Sequence, residues 1–395
     1  MIKKILWVLI WIACLGLTET AHAQTGKTDA PQGGTVLCLP QAALSEADDC
    51  LLAGPAQYLT DMAQKGITFP PRPLPAQKPD PALVQTGLNY AKLKENQDTP
   101  VYGTFEDAQA GVNAVKVIAA GALKFISYSN TAIVDGGEKP DFFELRGGGW
   151  ISVESVASRI SAVPWFQGLA FERTPPNAFG WIVPLNPNAE TKHTPGLQNN
   201  DFTGHTITEY GLVQIYAVEQ VKGSDWYMVG PDEWLEGRLV GMVTPRSSPP
   251  EGVSGSRWIE VNLEEQTLAA YDNGQLVFAT MIATGLEPFW TRPGVFQIYN
   301  RLETTVMAGT FEADRSDFYY LEDVPWTMYF DDARALHGAY WRTRFGFPQS
   351  HGCVNLSPGD AHWLFDWAKD KDWVYVWDPS GKTPTDPKLY TYGAP

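Results

Sequence analysis

The chain has 395 residues and a formal net charge of −16, and 12% of its residues are aromatic. An acidic protein repels phosphate backbones, so we expect no nucleic-acid partner. The length predicts roughly two to four domains, and the aromatic content is sufficient to fill several cores.

The first 23 residues have the pattern of a signal peptide. Lys3 and Lys4 precede an apolar run over residues 5–17, and residues 21–23 form an A-x-A cleavage site. The run is too short for a comfortable membrane span. We therefore expect a protein secreted across the cytoplasmic membrane, in the cell wall, the periplasm or outside the cell, with no transmembrane span in the mature chain. A faint likeness to a lipoprotein box leaves lipidation of Cys14 as an alternative.

The four cysteines differ in their expected state. Cys38 and Cys50 are close in sequence and, in an oxidising compartment, are predicted to form a disulfide with each other. Cys14 lies in the signal peptide, which leaves Cys353 without a partner. An odd cysteine in a secreted protein is either a reactive thiol or an intermolecular bridge. A buried inert thiol is the third interpretation.

Composition divides the mature chain into segments. Short apolar runs broken by Gly, Pro, Asn and Asp predict small all-β modules after residue 100, including one strand over residues 210–218. Tryptophans that open two of the strands loosely resemble those of bacterial SH3-like modules. Residues 88–95 are predicted to be a short helix or turn, and 69–83 are a proline-rich strap. The expected segments are an irregular, disulfide-containing stretch at 24–99, one or two β modules at 100–245, a linker at 246–254, a second domain at 255–380 and a tail at 381–395.

The second domain is also predicted to be mainly β. Asn273 and Gly274 between apolar runs indicate a hairpin. Ser357, Pro358 and Asp360 are typical of a helix start, because they supply an N-cap, a first-turn proline and a capping-box acid. Strands are predicted over residues 258–263, 267–271, 276–283, 295–299, 326–330 and 373–377.

The chemistry concentrates around Cys353, which lies in a short polar loop two residues after His351. A nearby imidazole can take the proton of the thiol and later return a proton to a leaving amine. His337 can reach the thiol only through the tertiary fold. Gly352 allows a close backbone turn, so the amides of Gly352 and Cys353 are candidates for an oxyanion hole.

Other roles remain open for the three clustered histidines. His351 is a candidate structural hydrogen-bonding residue, with His337 doing the chemistry. His337, His351, Cys353 and His362 also have the atoms to bind zinc, although their spacing matches no common zinc pattern. We expect His362 to face solvent on the helix after Pro358 and to have no role.

The segments 337–341 and 345–361, with Ser350-His351-Gly352-Cys353-Val354-Asn355 at their centre, resemble the catalytic segment of the L,D-transpeptidases (YkuD domain). Residues 291–298 look like the strand-opening segment of that family, with Arg292 where many members have proline. The resemblance covers about residues 255–380. It implies a compact β-sandwich with the cysteine in a long active-site loop.

The resemblance also implies a reaction. Cys353 attacks the carbonyl between the third and fourth residues of a peptidoglycan tetrapeptide stem, and D-alanine leaves. An amine of a second stem then attacks the thioester and forms a 3→3 cross-link. The resemblance implies no metal or organic cofactor, and carbapenems are expected to acylate Cys353. His337 is the implied base.

The remaining site residues have supporting roles in this interpretation. Four residues are expected to shape the loop, form the oxyanion hole or fix the tautomer of His337: Ser350, His351, Gly352 and Gly338. Those expected to contact the stem are Asn355, Tyr329, Trp341 and Arg342. The expected partners are peptidoglycan stems and the cell wall. Two alternatives remain: an L,D-carboxypeptidase, in which water replaces the acceptor amine, and a non-catalytic wall-binding protein.

Overall fold

The computed structural model describes residues 74–134, 136–185, 188–198, 200–310, 315 and 317–390. The expected signal peptide, Cys14 and the expected Cys38–Cys50 disulfide lie outside these residues. Among the described residues, no helix has the length and apolar character needed to cross a membrane. The described chain is mainly β, which confirms the predicted fold class.

Seventeen of the described strands precede residue 246, and most are short. They are β1 (Ala76–Gln77), β2 (Asn89–Leu93), β3 (Thr99–Tyr102), β4 (Ala114–Ile118), β5 (Leu123–Ala132), β6 (Phe142–Leu145), β7 (Trp150–Ser152), β8 (Val156–Arg159), β9 (Leu169–Phe171), β10 (Ala178–Ile182), β11 (Asn188–Lys192), β12 (Phe202–Thr208), β13 (Leu212–Ile215), β14 (Ala217–Val221), β15 (Ser224–Gly230), β16 (Glu233–Glu236) and β17 (Val240–Val243).

The rest of the described chain adds longer strands and the helix that follows Cys353. The strands are β18 (Arg257–Asn262), β19 (Thr267–Asp272), β20 (Gln275–Met281), β21 (Gly294–Gln297), β22 (Asn300–Gly309), β23 (Tyr319–Asp331), β24 (Arg334–Gly338), β25 (Val354–Leu356) and β26 (Trp373–Trp377). The α-helices are α1 (Phe105–Ala110) and α2 (Pro358–Trp367). Short 3-10 helices cover Pro81–Val84, Val153–Ser155, Gly237–Leu239 and Pro387–Tyr390.

A seven-stranded sheet combines five strands from after residue 246 with β1 and β9 from before it, in the order β1-β9-β20-β19-β18-β26-β21. Alternate side chains of a strand point to opposite faces, and here both faces are covered. Ile259 of β18 packs in one buried cluster with β25 and α2, whereas Trp258 packs in a second cluster with Phe166 and Trp181 from earlier in the chain. Burial on both faces explains why the successive residues Trp258 and Ile259 of β18, which point to opposite faces, are both apolar.

The second large sheet carries the site. Its strand β23 pairs with β22 and β24 in antiparallel fashion and with β5 in parallel fashion, and β24 then pairs in parallel with β25. Strands from before residue 246 therefore continue both large sheets: β9 lies beside β20, and β5 lies beside β23.

Most predicted elements appear with small shifts, and the clearest is α2. The Ser357 hydroxyl accepts from the backbone N–H of Asp360 at 3.3 Å, and Pro358 occupies the first turn, as predicted. The hairpin at Asn273 and Gly274 is also confirmed, since β19 and β20 pair on either side of it.

Two element predictions were wrong. Residues 88–95 contain strand β2, because Ala91 and Leu93 pack into a core cluster and the backbone pairs with β5 and β8. The single strand expected over residues 210–218 is two strands, β13 and β14, which belong to different sheets.

Candidate active site

Two adjacent parallel strands bring the predicted catalytic residues together. In the β24–β25 pair, His337 lies opposite Asn355, and Leu336 lies opposite Val354. Cys353 immediately precedes β25. Because alternate residues of an extended segment project to the same side, Cys353 lies on the side of Asn355, close to the level of Ala335. The site is therefore assembled where the loop enters the sheet.

Two hydrogen bonds of a buried threonine stabilise the loop before Cys353. The Thr291 hydroxyl accepts from the N–H of Gly285 at 2.9 Å and donates to the carbonyl of Gly352 at 2.8 Å. Inside the loop, Ser350 Oγ accepts from the N–H of Gly352 at 3.1 Å and donates to the carbonyl of Cys353 at 2.6 Å. These bonds fix the turn that presents the thiol.

Gly352 is required at its position for two reasons. Its φ of +117° is a backbone conformation that side chains with a Cβ rarely adopt. A Cβ there would also lie 3.1 Å from Nε of Arg334. The glycine thus allows the loop to pass directly over a buried arginine.

Cys353 is half-buried as a residue, while its sulfur lies deep among neighbouring side chains. The thiol donates to the carbonyl of Ala333 at 3.7 Å. Burial raises the pKa of the Cys353 thiol, and a backbone hydrogen bond from Ala335 and the charges of Arg334 and Arg342 oppose that rise. The resting group is therefore a protonated thiol with cationic neighbours.

His337 is almost completely buried, and burial lowers its pKa to about 4. The imidazole is therefore neutral at pH 7, as a proton acceptor must be. Its Nδ1 lies 3.2 Å from the carbonyl of Gly338, which fixes the proton on Nδ1. Its Nε2 then carries the free lone pair.

Asn355 occupies that lone pair, and Arg342 orients the Asn355 amide. In the amide orientation that satisfies its neighbours, Asn355 donates to Nε2 of His337 at 3.0 Å and accepts from Nη2 of Arg342 at 3.2 Å. Arg342 also donates to the side chain and the carbonyl of Gln349, at 3.0 and 2.6 Å. Among the described residues, the resting site has no hydrogen bond between the thiol and His337. Catalytic contacts of this kind commonly tighten only with substrate bound.

Aromatic side chains surround the thiol. Burial raises the pKa values of Tyr319 and Tyr329, and a negative charge on Cys353 raises them further, so both hydroxyls lie within electrostatic range of the sulfur. The ring of His351 stacks on Tyr319 with centroids 5.7 Å apart and lies 4.9 Å from Phe289. Trp341 lies 5.7 Å from the ring of His337.

The expectation that His362 faces solvent was wrong. Its ring is half-buried and stacks on Trp326 with centroids 4.3 Å apart, and its Nδ1 lies 3.2 Å from the carbonyl of Leu83. The reason is that the proline-rich strap, here the 3-10 helix Pro81–Val84, lies against α2. Within the part of the chain that the structure describes, no group of three or more His, Cys, Asp or Glu side chains could hold a metal ion.

Sequence reasoning missed three contributors to the site: Thr291, Tyr319 and Arg334. Thr291 lies in the segment 291–298, and the likeness of this segment to a family strand gives no indication of the role of its hydroxyl. Tyr319 and Arg334 carried no motif. The one available signal was the position of Arg334 three residues before His337 in an otherwise apolar strand.

Residues 256–376 match the family model of the L,D-transpeptidase catalytic domain, YkuD. This match confirms the resemblance that the sequence motifs indicate over these residues. The matched residues contain His337, the loop and Cys353. No curated protein sequence matches the chain.

Solved structures of L,D-transpeptidases are similar over about a third of the chain. The NMR structure of the Enterococcus faecium catalytic domain is 28% identical, with 32% of this chain and 100% of that chain covered and a TM-score of 0.28. The Stackebrandtia nassauensis enzyme is 24% identical, with 34% of this chain and 60% of that chain covered and a TM-score of 0.27. L,D-transpeptidase 3 of Mycobacterium tuberculosis is 18% identical, with 39% of this chain and 78% of that chain covered and a TM-score of 0.29.

Proposed function

We propose that the catalytic domain is a peptidoglycan L,D-transpeptidase that forms 3→3 cross-links through a thioester on Cys353. The observation that carries this proposal is the combination of the family match with a site in which two adjacent strands bring together a thiol and a neutral imidazole. The proposal includes secretion, because the substrate is outside the cytoplasm. It also includes the use of the β-rich region before residue 246 to position the enzyme on the wall.

The reaction divides into two steps. The Cys353 sulfur forms a bond to the stem carbonyl as its proton passes to Nε2 of His337, and D-alanine leaves with that proton. The acceptor amine then bonds to the thioester carbonyl, the C–S bond breaks, and a proton from the amine passes through His337 to the departing Cys353 sulfur. For the first step Nε2 must exchange the Asn355 amide for the thiol, which requires a small movement of side chains that are now hydrogen-bonded to each other.

The amides of Gly352 and Cys353 are the proposed donors to the tetrahedral oxyanion. The Gly352 amide now donates to Ser350 Oγ, and the Thr291 and Ser350 hydroxyls hold the two carbonyls of the turn. The Gly352 N–H must therefore exchange Ser350 Oγ for the oxyanion. The fixed turn limits how far the two amides have to reorient when charge develops.

The testing experiment is mass spectrometry of the products after incubation of the purified mature protein with disaccharide-tetrapeptide. We expect a 3→3 cross-linked dimer that is absent with Cys353→Ala. Tripeptide alone would instead show a carboxypeptidase. Equal product from Cys353→Ala would refute the nucleophile assignment.

A further inference from the structure

A buried carboxylate near the site is shared by two arginines. Asp331, at the end of β23, accepts from Arg292 through Nε at 3.0 Å and through Nη2, and from Arg334 through Nη1 at 3.2 Å. Among the described residues, Asp331 is the only acid paired with the two arginines. One carboxylate neutralises one guanidinium, so this group carries a net positive charge. A buried charge without a counter-ion is costly, and its presence requires an explanation.

The uncompensated charge belongs to Arg334. Its side chain is 10% exposed, against 28% for that of Arg292, so water can solvate the second arginine but reaches the first only poorly. The other contacts of Arg334 are with Tyr390, whose carbonyl accepts from Nη2 at 3.2 Å and whose ring centroid lies 5.1 Å from the guanidinium carbon. A carbonyl and an aromatic face stabilise a cation but supply no negative charge.

The free donor of Arg334 faces the active-site loop. Its Nε is buried and has no hydrogen-bond partner among the described residues. It lies below Gly352, at 3.1 Å from the point where a Cβ on that residue would be. The next residue is Cys353, and its thiol donates to the carbonyl of Ala333, which directly precedes Arg334.

We propose that Arg334 is a positioning residue that supports the Gly352–Cys353 turn and favours the thiolate form of Cys353, with Asp331 and Tyr390 holding its guanidinium in place. When Cys353 loses its proton, the thiolate supplies a second negative charge near the two arginines. This inference rests on the proposed role of Cys353 as nucleophile.

The other groups that face the thiol do not replace Arg334. The Arg342 guanidinium donates to Asn355 and Gln349, and its charge has the smaller effect of the two arginines on the pKa of Cys353. Tyr299, Tyr319 and Tyr329 have raised pKa values and are neutral at pH 7. Burial lowers the pKa of His351, so this imidazole brings no fixed positive charge.

The test is the pH dependence of alkylation by iodoacetamide, measured on the full mature chain by mass spectrometry of the peptide that contains Cys353. An opposite charge within a few ångströms lowers a pKa by about 1 to 3 units. We expect Arg334→Gln to raise the apparent pKa of the thiol by about one unit and to slow alkylation at pH 7 by about tenfold. Arg334→Lys, which keeps the charge, should restore at least half of that shift.

Two further variants separate charge from packing. Asp331→Asn should lower the apparent pKa, because it removes negative charge while its amide oxygen still accepts from Arg334. Arg292→Gln is the matched control, since it removes the more exposed partner of the same carboxylate, and its shift should be less than half that of Arg334→Gln. If Arg334 had a purely structural role, all four variants would shift the apparent pKa of Cys353 in the same direction.

The inference is overturned if Arg334→Gln has the alkylation profile of the wild type, or if the Lys and Gln variants shift equally and Asp331→Asn raises the pKa. Should Arg334→Gln not fold, as seen in its melting curve, the Lys and Asn variants decide by the same criteria. Alkylation needs no peptidoglycan. A protein with the expected profiles that forms no cross-link would refute the proposed function and leave the inference standing.

Discussion

Thr291 is the residue on which the shape of the loop depends most directly. Its buried hydroxyl joins Gly285 to Gly352, so Thr291→Val leaves a buried N–H and a buried carbonyl without their partner. A lost buried partner costs about 1 to 3 kcal/mol. We expect Thr291→Val to lower kcat/KM about tenfold or more and to lower Tm, whereas Thr291→Ser should stay close to the wild type. A valine variant with unchanged kcat/KM would show that the turn holds without this hydroxyl.

His337 gives the reaction its expected pH dependence. A general base must be unprotonated, and burial lowers the pKa of this imidazole to about 4. We therefore expect the acidic limb of kcat/KM to lie near pH 4 to 5, below the ordinary histidine value of about 6.5. The measurement is a pH–rate profile of cross-link formation. An acidic limb at pH 6.5 would mean that the base is a solvated imidazole.

At this scale the sequence predicted the residues of the motif but not their supports. Cys353, His337 and the residues of the loop were identified because their types and spacing are specific. Arg334 and Thr291 act through the fold: one lies under Gly352 and the other joins two loops. Neither of these spatial contacts produces a recognisable motif or spacing in the sequence.

Helix α2 begins at a buried carboxyl that ties it to the central sheet. Asp360 accepts from the N–H of Gly168 at 2.9 Å and from the hydroxyl of Thr280 at 2.5 Å. Burial raises the pKa of Asp360 to about 7. The folded state therefore binds this proton more tightly than the unfolded state, where the pKa is about 4.

The sign of the stability effect follows from that difference. The contribution of Asp360 to the free energy of unfolding is complete below about pH 4. It is lost as the pH rises through 7, at a rate of up to about 1.4 kcal/mol per pH unit. Asp360→Asn cannot titrate. We expect the amount by which the Tm of the wild type exceeds that of the variant to shrink between pH 4.5 and pH 8. A constant difference across this range would contradict the raised pKa.

The elements that were predicted correctly are those with a strong local signal. The start of α2 has its cap and proline, and the β19–β20 hairpin has its Asn-Gly turn. Strand β2 has no comparable signal: Asn-Tyr-Ala-Lys-Leu contains no β-branched residue, and its extended form depends on pairing with β5 and β8.

At the scale of the whole molecule, the part of the chain that matches the family model shares its sheets and its core with the region before residue 246. Phe166, Phe179 and Trp181 pack in one cluster with Trp258 and Tyr271. Strand β9 also pairs with β20. Such pairing joins residues about a hundred positions apart, and periodicity along the chain gives no indication of it.

This sharing predicts how a fragment should behave. A fragment of residues 255–380 would expose the face that carries Trp258 and Tyr271, because the side chains that now cover it are absent. We expect it to bind a hydrophobic dye such as ANS and to melt well below a fragment of residues 74–395, the matched control. An isolated fragment with an equal Tm and no dye binding would show that the shared core contributes little.

The proposed function requires that Cys353 become acylated by a tetrapeptide donor. The most direct test is intact-mass spectrometry of the mature protein incubated with disaccharide-tetrapeptide and no acceptor. We expect a mass increase equal to the donor minus D-alanine, located on Cys353 and absent from Cys353→Ala. An adduct that persists in Cys353→Ala, or cross-linked product from that variant, would contradict it.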